Sequence, residues 1–197
     1  MPRKPATLRR EEIVQAALTL IAQQGPGTLT TGAIAEAVGV SQATVFKHFP
    51  TKGAILAACV DWIGGQVEPA VDRALAGAGS AEARLRATLQ AVCGVCDHVP
   101  AMPTTFFSRE LHAEYPTLLE TIRDGRRRFA AAIARLLEEG AAAGEFAPAI
   151  NVNAGAYLVI GLVHTLLLRR HQGNEQIDLA EEASTMLDLL LSGLRPR

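Results

Sequence analysis

With 197 residues, 19 Lys and Arg against 20 Asp and Glu, and a formal net charge of -1, the chain suffices for one compact domain or a small module fused to a larger one, and its overall charge does not mark it as a polyanion binder. Apolar residues make up 49% and aromatic ones only 5%; Ala and Leu recur without runs of β-formers at two-residue spacing, which favours helices over sheets. The charge is uneven, since residues 1–60 carry six Lys or Arg (Arg3, Lys4, Arg9, Arg10, Lys47, Lys52) against three acids and the remainder thirteen against seventeen, so a polyanion would be met by the first segment.

In chain order, Thr7 is expected to cap a first helix with Glu11 and Glu12 in its early turn and Ile13, Ala17, Leu20 and Ile21 on its apolar stripe, stopped by Gly25-Pro26. Thr30 or Thr31 can cap a short second helix with Ile34, Ala35 and Val38 inward, ending at Gly39, and Ser41 a short third one. A longer helix starts at Lys52, with Ile55, Ala58, Cys59, Trp62 and Ile63 on one face, and runs to the turn Gly77-Ala78-Gly79-Ser80. Further helices are expected from about Ala81 to His98, from Pro103 to Glu114, and after Pro116, the last opened by a capping box from Thr117 to Glu120. Two apolar helices close the chain, about Asn153 to Arg170 and Asp178 to Leu194, parted by Gly173-Asn174. The expectation is an all-α fold of about nine helices.

Three cysteines, an odd count, provide no disulfide framework, and no N-terminal secretion signal is recognisable, so the cytoplasm is the default location. No charged residue occurs between Phe146 and Leu168, a length that could cross a bilayer, but Pro148, Asn151, Asn153 and His164 interrupt it. The strictly apolar part, from Ala154, is too short, so a buried helix and no membrane association are expected.

Residues 30–49 place two short helices around the tight turn Gly39-Val40-Ser41, the spacing of a helix-turn-helix. Gly39 supplies the positive φ of the turn, Val40 can plug the gap, and Ile34, Ala35, Val45 and Phe49 form a small apolar seam. The opposite face of the third helix then shows Gln42, Ala43, Thr44 and Lys47: Gln pairs with adenine, and Ala or Thr methyls meet thymine. Thr30, Thr31, His48 and Lys52 flank that face and can hold phosphates. Geometry alone leaves an ordinary helical hairpin open.

The run Ile34-Ala35-Glu36-Ala37-Val38-Gly39-Val40-Ser41 with Val45-Phe46-Lys47-His48-Phe49-Pro50-Thr51-Lys52 closely resembles the DNA-binding signature of the tetracycline-repressor (TetR) family, a likeness strong over about the first 60 residues. It implies a helix-turn-helix DNA-binding domain at 1–52 and a larger helical ligand-binding and dimerisation domain at 53–197. It also implies a transcriptional repressor that grips a palindromic operator as a homodimer through Thr30, Thr31, Ser41, Gln42, Ala43, Thr44, Phe46, Lys47, His48 and Lys52 and is released by a small-molecule effector. Two positions depart from the family pattern. Phe46 stands where most members carry Tyr, so the phosphate contact of that hydroxyl is absent and packing is the role left to Phe46, and Gly32 stands where many place a charge.

Two reading helices held about one DNA turn apart require a dimer. Tyr157, Leu158, Gly161, His164, Thr165 and Leu168, with Leu179, Ala183, Met186, Leu187 and Leu190, offer stripes too wide for one small subunit to bury. The family's final helices pair as a four-helix bundle, which matches this excess. Family resemblance also implies an effector cavity after Lys52, for which Trp62, Gln66, Cys93, Cys96, Met102, Phe106, Phe107, Arg109, His112, Phe129 and Tyr157 are the candidates, although each taken singly reads first as core packing. Arg109 and His112 can face an anion or form a solvated ion-pair surface with Glu110 and Glu114. Cys93 and Cys96 could hold a soft metal or act as a redox pair near His98, but with Leu85, Leu89 and Val92 they fall on one stripe and read more simply as core. No metal ligand set or cofactor is assigned, and no hydrolase, zincin, P-loop or dinucleotide motif points to an enzyme. The rival reading is a helical protein-interaction module without DNA binding; it does not account for Gly39, Ser41, His48, Phe49 and Lys52 occurring together at family spacing.

Overall fold

The computed structural model describes residues 5–172 and 177–194, without the side chain of Glu110; Arg3, Lys4, Gly173 and Asn174, used above, and the side chain of Glu110 lie outside the described residues. Among these residues there are ten helices and no strand: α1 (Ala6–Gln24), α2 (Thr31–Val38), α3 (Gln42–His48), α4 (Lys52–Leu75), α5 (Ala81–His98), α6 (Ala101–Phe107), α7 (Arg109–Glu114), α8 (Pro116–Ala142), α9 (Val152–Gln172) and α10 (Leu179–Ser192). The tenth helix arises at Ser108, which leaves helical geometry (φ -70°, ψ 109°) and whose hydroxyl accepts from the Leu111 N–H. That cap splits the single segment expected over Pro103–Glu114 into α6 and α7. Two other expected caps are displaced: α1 opens at Ala6 behind Pro5, with Thr7 inside its first turn, and α8 opens at Pro116, which puts Thr117 inside the helix.

The chain forms two compact units. The first comprises residues 1–65 and 99–122. Its core holds Ile13, Ala17 and Ile21 of α1, Ile34 of α2, Val45 of α3 and Ile55 and Ile63 of α4, all inaccessible to solvent. Helix α1 is the hub, packing on α2, α3 and α6. Its buried face also takes in Val14 and Leu18, and Leu20 stays half-buried. The Cys59 thiol is buried here, and burial pushes its pKa up to about 12, so it is a small apolar core group.

The second unit comprises residues 66–98 and 123–197, built on α5, α9 and α10 with the later part of α8; Leu85, Ile133, Leu137, Val159, Leu187 and Leu191 are at most 1% exposed. Gly140 is required by close approach: a Cβ there would stand 2.3 Å from the Phe146 ring and 2.9 Å from the Ala81 Cβ. The adjoining Glu145 carboxylate accepts from the Ala81 and Glu82 N–H groups, each at 3.0 Å, and so caps α5 from outside the helix. Asp178 caps α10 through the Ala180 and Glu181 N–H groups. Helix α9 is long and apolar enough to cross a bilayer by length and composition, with a mean hydropathy of 1.4. Its inner face (Ala156, Val159, Ile160, Val163, Leu166, Leu167) is nevertheless core, and Arg169 and Arg170 at its end pair with Glu182 and Asp97, as in the core helix of a water-exposed protein.

Candidate nucleic-acid interface

Helices α2 and α3 have 8 and 7 residues, too short to persist alone, so caps and packing hold them. Thr30 caps α2 by accepting from the Ala33 N–H at 3.1 Å. Gly39 closes it in the left-handed region (φ 72°), its N–H and that of Val40 bonding back to the Glu36 and Ala35 carbonyls. Ser41 then caps α3, its hydroxyl accepting from the Thr44 N–H at 3.2 Å and lying 2.9 Å from the Thr44 hydroxyl. Ile34 and Val45 at 0%, Phe49 at 1% and Ala35 at 4% exposure form the seam between the helices.

With that seam inward, Gln42, Ala43, Phe46 and Lys47 are exposed, and Thr44 and His48 are half-buried. This surface is an α-helical face of hydrogen-bonding, methyl and cationic groups, the chemistry that fits base edges and phosphates in a major groove. Phe46 is 45% exposed, so the packing role left to it by its missing hydroxyl does not hold; it belongs to the outward face because Val45 and Phe49 already occupy the inward one. Gln42 Nε2 donates to the Thr31 hydroxyl at 2.6 Å, tying α3 to the start of α2. Lys52 opens α4 half-buried, beside a cap in which the Thr51 hydroxyl accepts from the Ala54 N–H.

Arg10 was not among the site residues expected from sequence. Its guanidinium lies 4.0 Å from the centre of the Phe49 ring and donates to the His48 carbonyl at the end of α3, a cation on the negative pole of that helix. The contact joins residues 38 apart, and only the positive charge of the first segment hinted at it.

The expected effector-lining residues divide between the two units. In the first, Trp62, Phe106, Phe107 and His112 are half-buried, Met102 is buried and Arg109 is exposed; Met102 and Phe106 ride on α6, which packs on α1. In the second, Cys93 and Cys96 are buried, Phe129 is half-buried, and Gln66 and Tyr157 are exposed. Burial raises the pKa of Cys93 to about 11 and of Cys96 to about 12, neighbouring Asp97 adding to both, and the Cys93 thiol donates to the Leu179 carbonyl. Both thiols therefore stay protonated at neutral pH and are poor nucleophiles, and no group of three or more His, Cys, Asp or Glu able to hold a metal occurs among the described residues.

Of the residues expected at a dimer seam, Tyr157, Gly161 and Leu168 are exposed on the outer face of α9, and His164, Met186 and Leu190 are half-buried. Ala183 and Leu187 are not on that surface: each is 1% exposed because the α10 face that carries them packs within the subunit. Leu189, not singled out from sequence, is 72% exposed, and Leu158 of α9 is 56% exposed.

Comparison with known proteins supplies the family. Residues 13–59 match the family described as bacterial regulatory proteins, tetR family, and residues 78–194 match the tetracyclin repressor-like C-terminal domain. The nucleoid occlusion factor SlmA of Photobacterium profundum is 30% identical over 134 residues, 68% of this chain and 68% of that protein. Among solved structures, the fatty acid degradation regulator FadR from Bacillus halodurans superposes with a TM-score of 0.81 at 20% identity over 100% of both chains. A bacterial regulatory protein of the tetR family from Rhodococcus RHA1 gives 0.79 at 25% identity over 99% of this chain and 100% of that one. The helix-turn-helix at the N-terminus and the matched helical segment that follows it make one assignment: the chain belongs to the tetR family of bacterial transcriptional regulators.

Proposed function

We propose that this protein is a ligand-responsive transcriptional repressor that binds a palindromic operator as a homodimer and lets go when a small, largely apolar effector binds. The observation that carries the DNA-binding part is the α2–α3 pair, its seam buried and its outer face bearing Gln42, Ala43, Phe46 and Lys47. Residues 1–52 hold the DNA; 53–197 dimerise and sense. The second reading head comes from a partner subunit docked on the apolar outer faces of α9 and α10, where Tyr157, Leu158, Leu168 and Leu189 are left uncovered. For the effector, the half-buried aromatics Trp62, Phe106 and Phe107 and the neighbouring Met102 are the favoured lining. A molecule seated against α6 would press on α1 and through it on α2 and α3, since α1 contacts all three.

The test is a titration of the protein on operator duplexes selected from a random pool, at several salt concentrations and with candidate effectors. Affinity should fall steeply with salt through counterion release, and an effector should weaken DNA binding by ~1 to 3 kcal/mol of coupling, with operator weakening the effector equally. A flat salt response and equal affinity for unrelated duplexes would overturn the DNA-binding reading. The 30% identity to the nucleoid occlusion factor SlmA of Photobacterium profundum favours a second reading, in which the same DNA grip serves nucleoid occlusion; DNA binding unchanged by every effector tried would favour it over the first.

A further inference from the structure

We infer that Thr31 is a positioning residue for base readout: by accepting a hydrogen bond from the Gln42 amide it fixes the sense in which that amide faces DNA, so that Gln42 reads adenine. The inference rests on the proposed use of α3 as the reading helix and adds what a free glutamine at that position would lack.

A carboxamide is ambiguous. With one N–H and its oxygen turned to a base it matches adenine, which offers the N7 acceptor and the N6 donor; with both N–H groups turned outward it matches guanine, which offers two acceptors, N7 and O6. Gln42 is exposed at the first turn of α3 and nothing on its own helix selects between these poses. The neighbouring helix does. Gln42 Nε2 donates one hydrogen to Thr31 Oγ1 at 2.6 Å, leaving a single N–H and Oε1 for the groove, the adenine pattern. Against guanine that oxygen would face O6, acceptor against acceptor.

The reverse arrangement, in which the Thr31 hydroxyl donates to Oε1 and frees both N–H groups, depends on where the Thr31 proton goes. That proton has no acceptor among the described residues. Adjacent Thr30 is already committed as the cap of α2. Thr31 is the half-buried first residue of α2, beside the reading face, where DNA phosphates would lie. A phosphate only accepts, so it takes the Thr31 proton and leaves Thr31 Oγ1 nothing but an acceptor for Gln42. The bonds then run in one direction, from Thr31 to phosphate and from Gln42 to both Thr31 and adenine N7, and engaging the backbone locks the base preference.

The experiment measures wild type, Gln42→Ala, Thr31→Val and Thr31→Ser on the selected operator and on every single-base-pair variant of it, with thermal unfolding to confirm that each protein is folded. Gln42→Ala should flatten preference at one base pair per half-site, where wild type favours adenine over guanine by roughly five- to 150-fold. Thr31→Val should collapse the adenine-to-guanine ratio at that same pair, and Thr31→Ser should restore it. Loss of a phosphate contact alone would lower affinity evenly on all sequences and, because a neutral hydroxyl displaces no condensed cation, would leave the salt slope unchanged. The inference is overturned if Thr31→Val weakens every site equally and keeps the ratio. If Gln42→Ala alters no base preference at all, the reading role of α3 fails with it.

Discussion

Leu189→Glu places a carboxylate on the outer face of α10 at a side chain that is 72% exposed in the subunit, so the subunit's own core is left intact. In the proposed homodimer the same position lies against the partner's helices. Covering an exposed leucine of this kind stabilises by roughly 1–2 kcal/mol per copy, and confining a carboxylate to an apolar seam costs about 2 kcal/mol or more. A two-fold interface counts each residue twice, so the variant should weaken association by about 6 kcal/mol, roughly four orders of magnitude in Kd. Sedimentation velocity over a range of concentrations reads the shift directly, and far-UV circular dichroism reports whether the monomer keeps its helices. Operator affinity should fall with the dimer, because one reading head alone binds weakly. Leu187→Glu makes the contrast: at 1% exposure it should unfold the subunit instead of parting two folded ones. A folded Leu189→Glu protein that dimerises with unchanged Kd would refute the placement of the seam on the outer faces of α9 and α10.

Arg10→Ala removes the contact over Phe49 and the bond to the His48 carbonyl; chemical denaturation should show a loss of roughly 1–3 kcal/mol, with Arg10→Lys recovering little because an ammonium does not stack flat on the ring. Unchanged stability and operator affinity in both variants would deny Arg10 its role at the end of α3. Burial, reinforced by nearby Arg126, holds the His164 pKa below the ordinary histidine value of about 6.5. The unfolded chain therefore binds the proton first: this contribution is fully present above about pH 6.5 and is lost as pH falls toward the folded-state value. His164→Gln should flatten that part of the stability profile, and an unaltered slope would show that other groups carry it.

What could be foreseen was set by short-range spacing. Gly39, Ser41, Val45 and Phe49 lie within eleven residues of one another, and each has one role compatible with its neighbours: a left-handed turn, a cap, and two inward side chains one helical turn apart. The caps at Thr7 and Thr117 failed for an equally local reason, since a proline just ahead of each, Pro5 and Pro116, already supplied the fixed φ that starts the helix. Ser108 stands between Phe107 and Arg109 with neither Gly nor Pro beside it, so no turn residue marked the break. In α10 the run Leu187, Leu189, Leu190, Leu191 supports more than one inward face; packing against α5 and α9 selects Leu187 and Leu191. Arg10 and Phe49 meet only through the tertiary fold, which no local pattern encodes.

Around α3, hydroxyls proposed to meet DNA also hold the fold together. Thr30, Ser41 and Thr44 were all expected at DNA, yet the Thr30 and Ser41 oxygens accept backbone N–H bonds and Ser41 also engages the Thr44 hydroxyl. A helix of seven residues cannot spare such a cap. Replacing Ser41 by Ala would therefore impair DNA binding by fraying α3, whatever contact its hydroxyl makes. Thr31 is in a different position, because its oxygen is occupied by a side chain of the reading face, not by the backbone. Its loss need not unwind either helix, and what it changes is the orientation of Gln42. Stability and specificity are thus carried by adjacent threonines, Thr30 holding the helix that Thr31 uses to aim the base-reading amide.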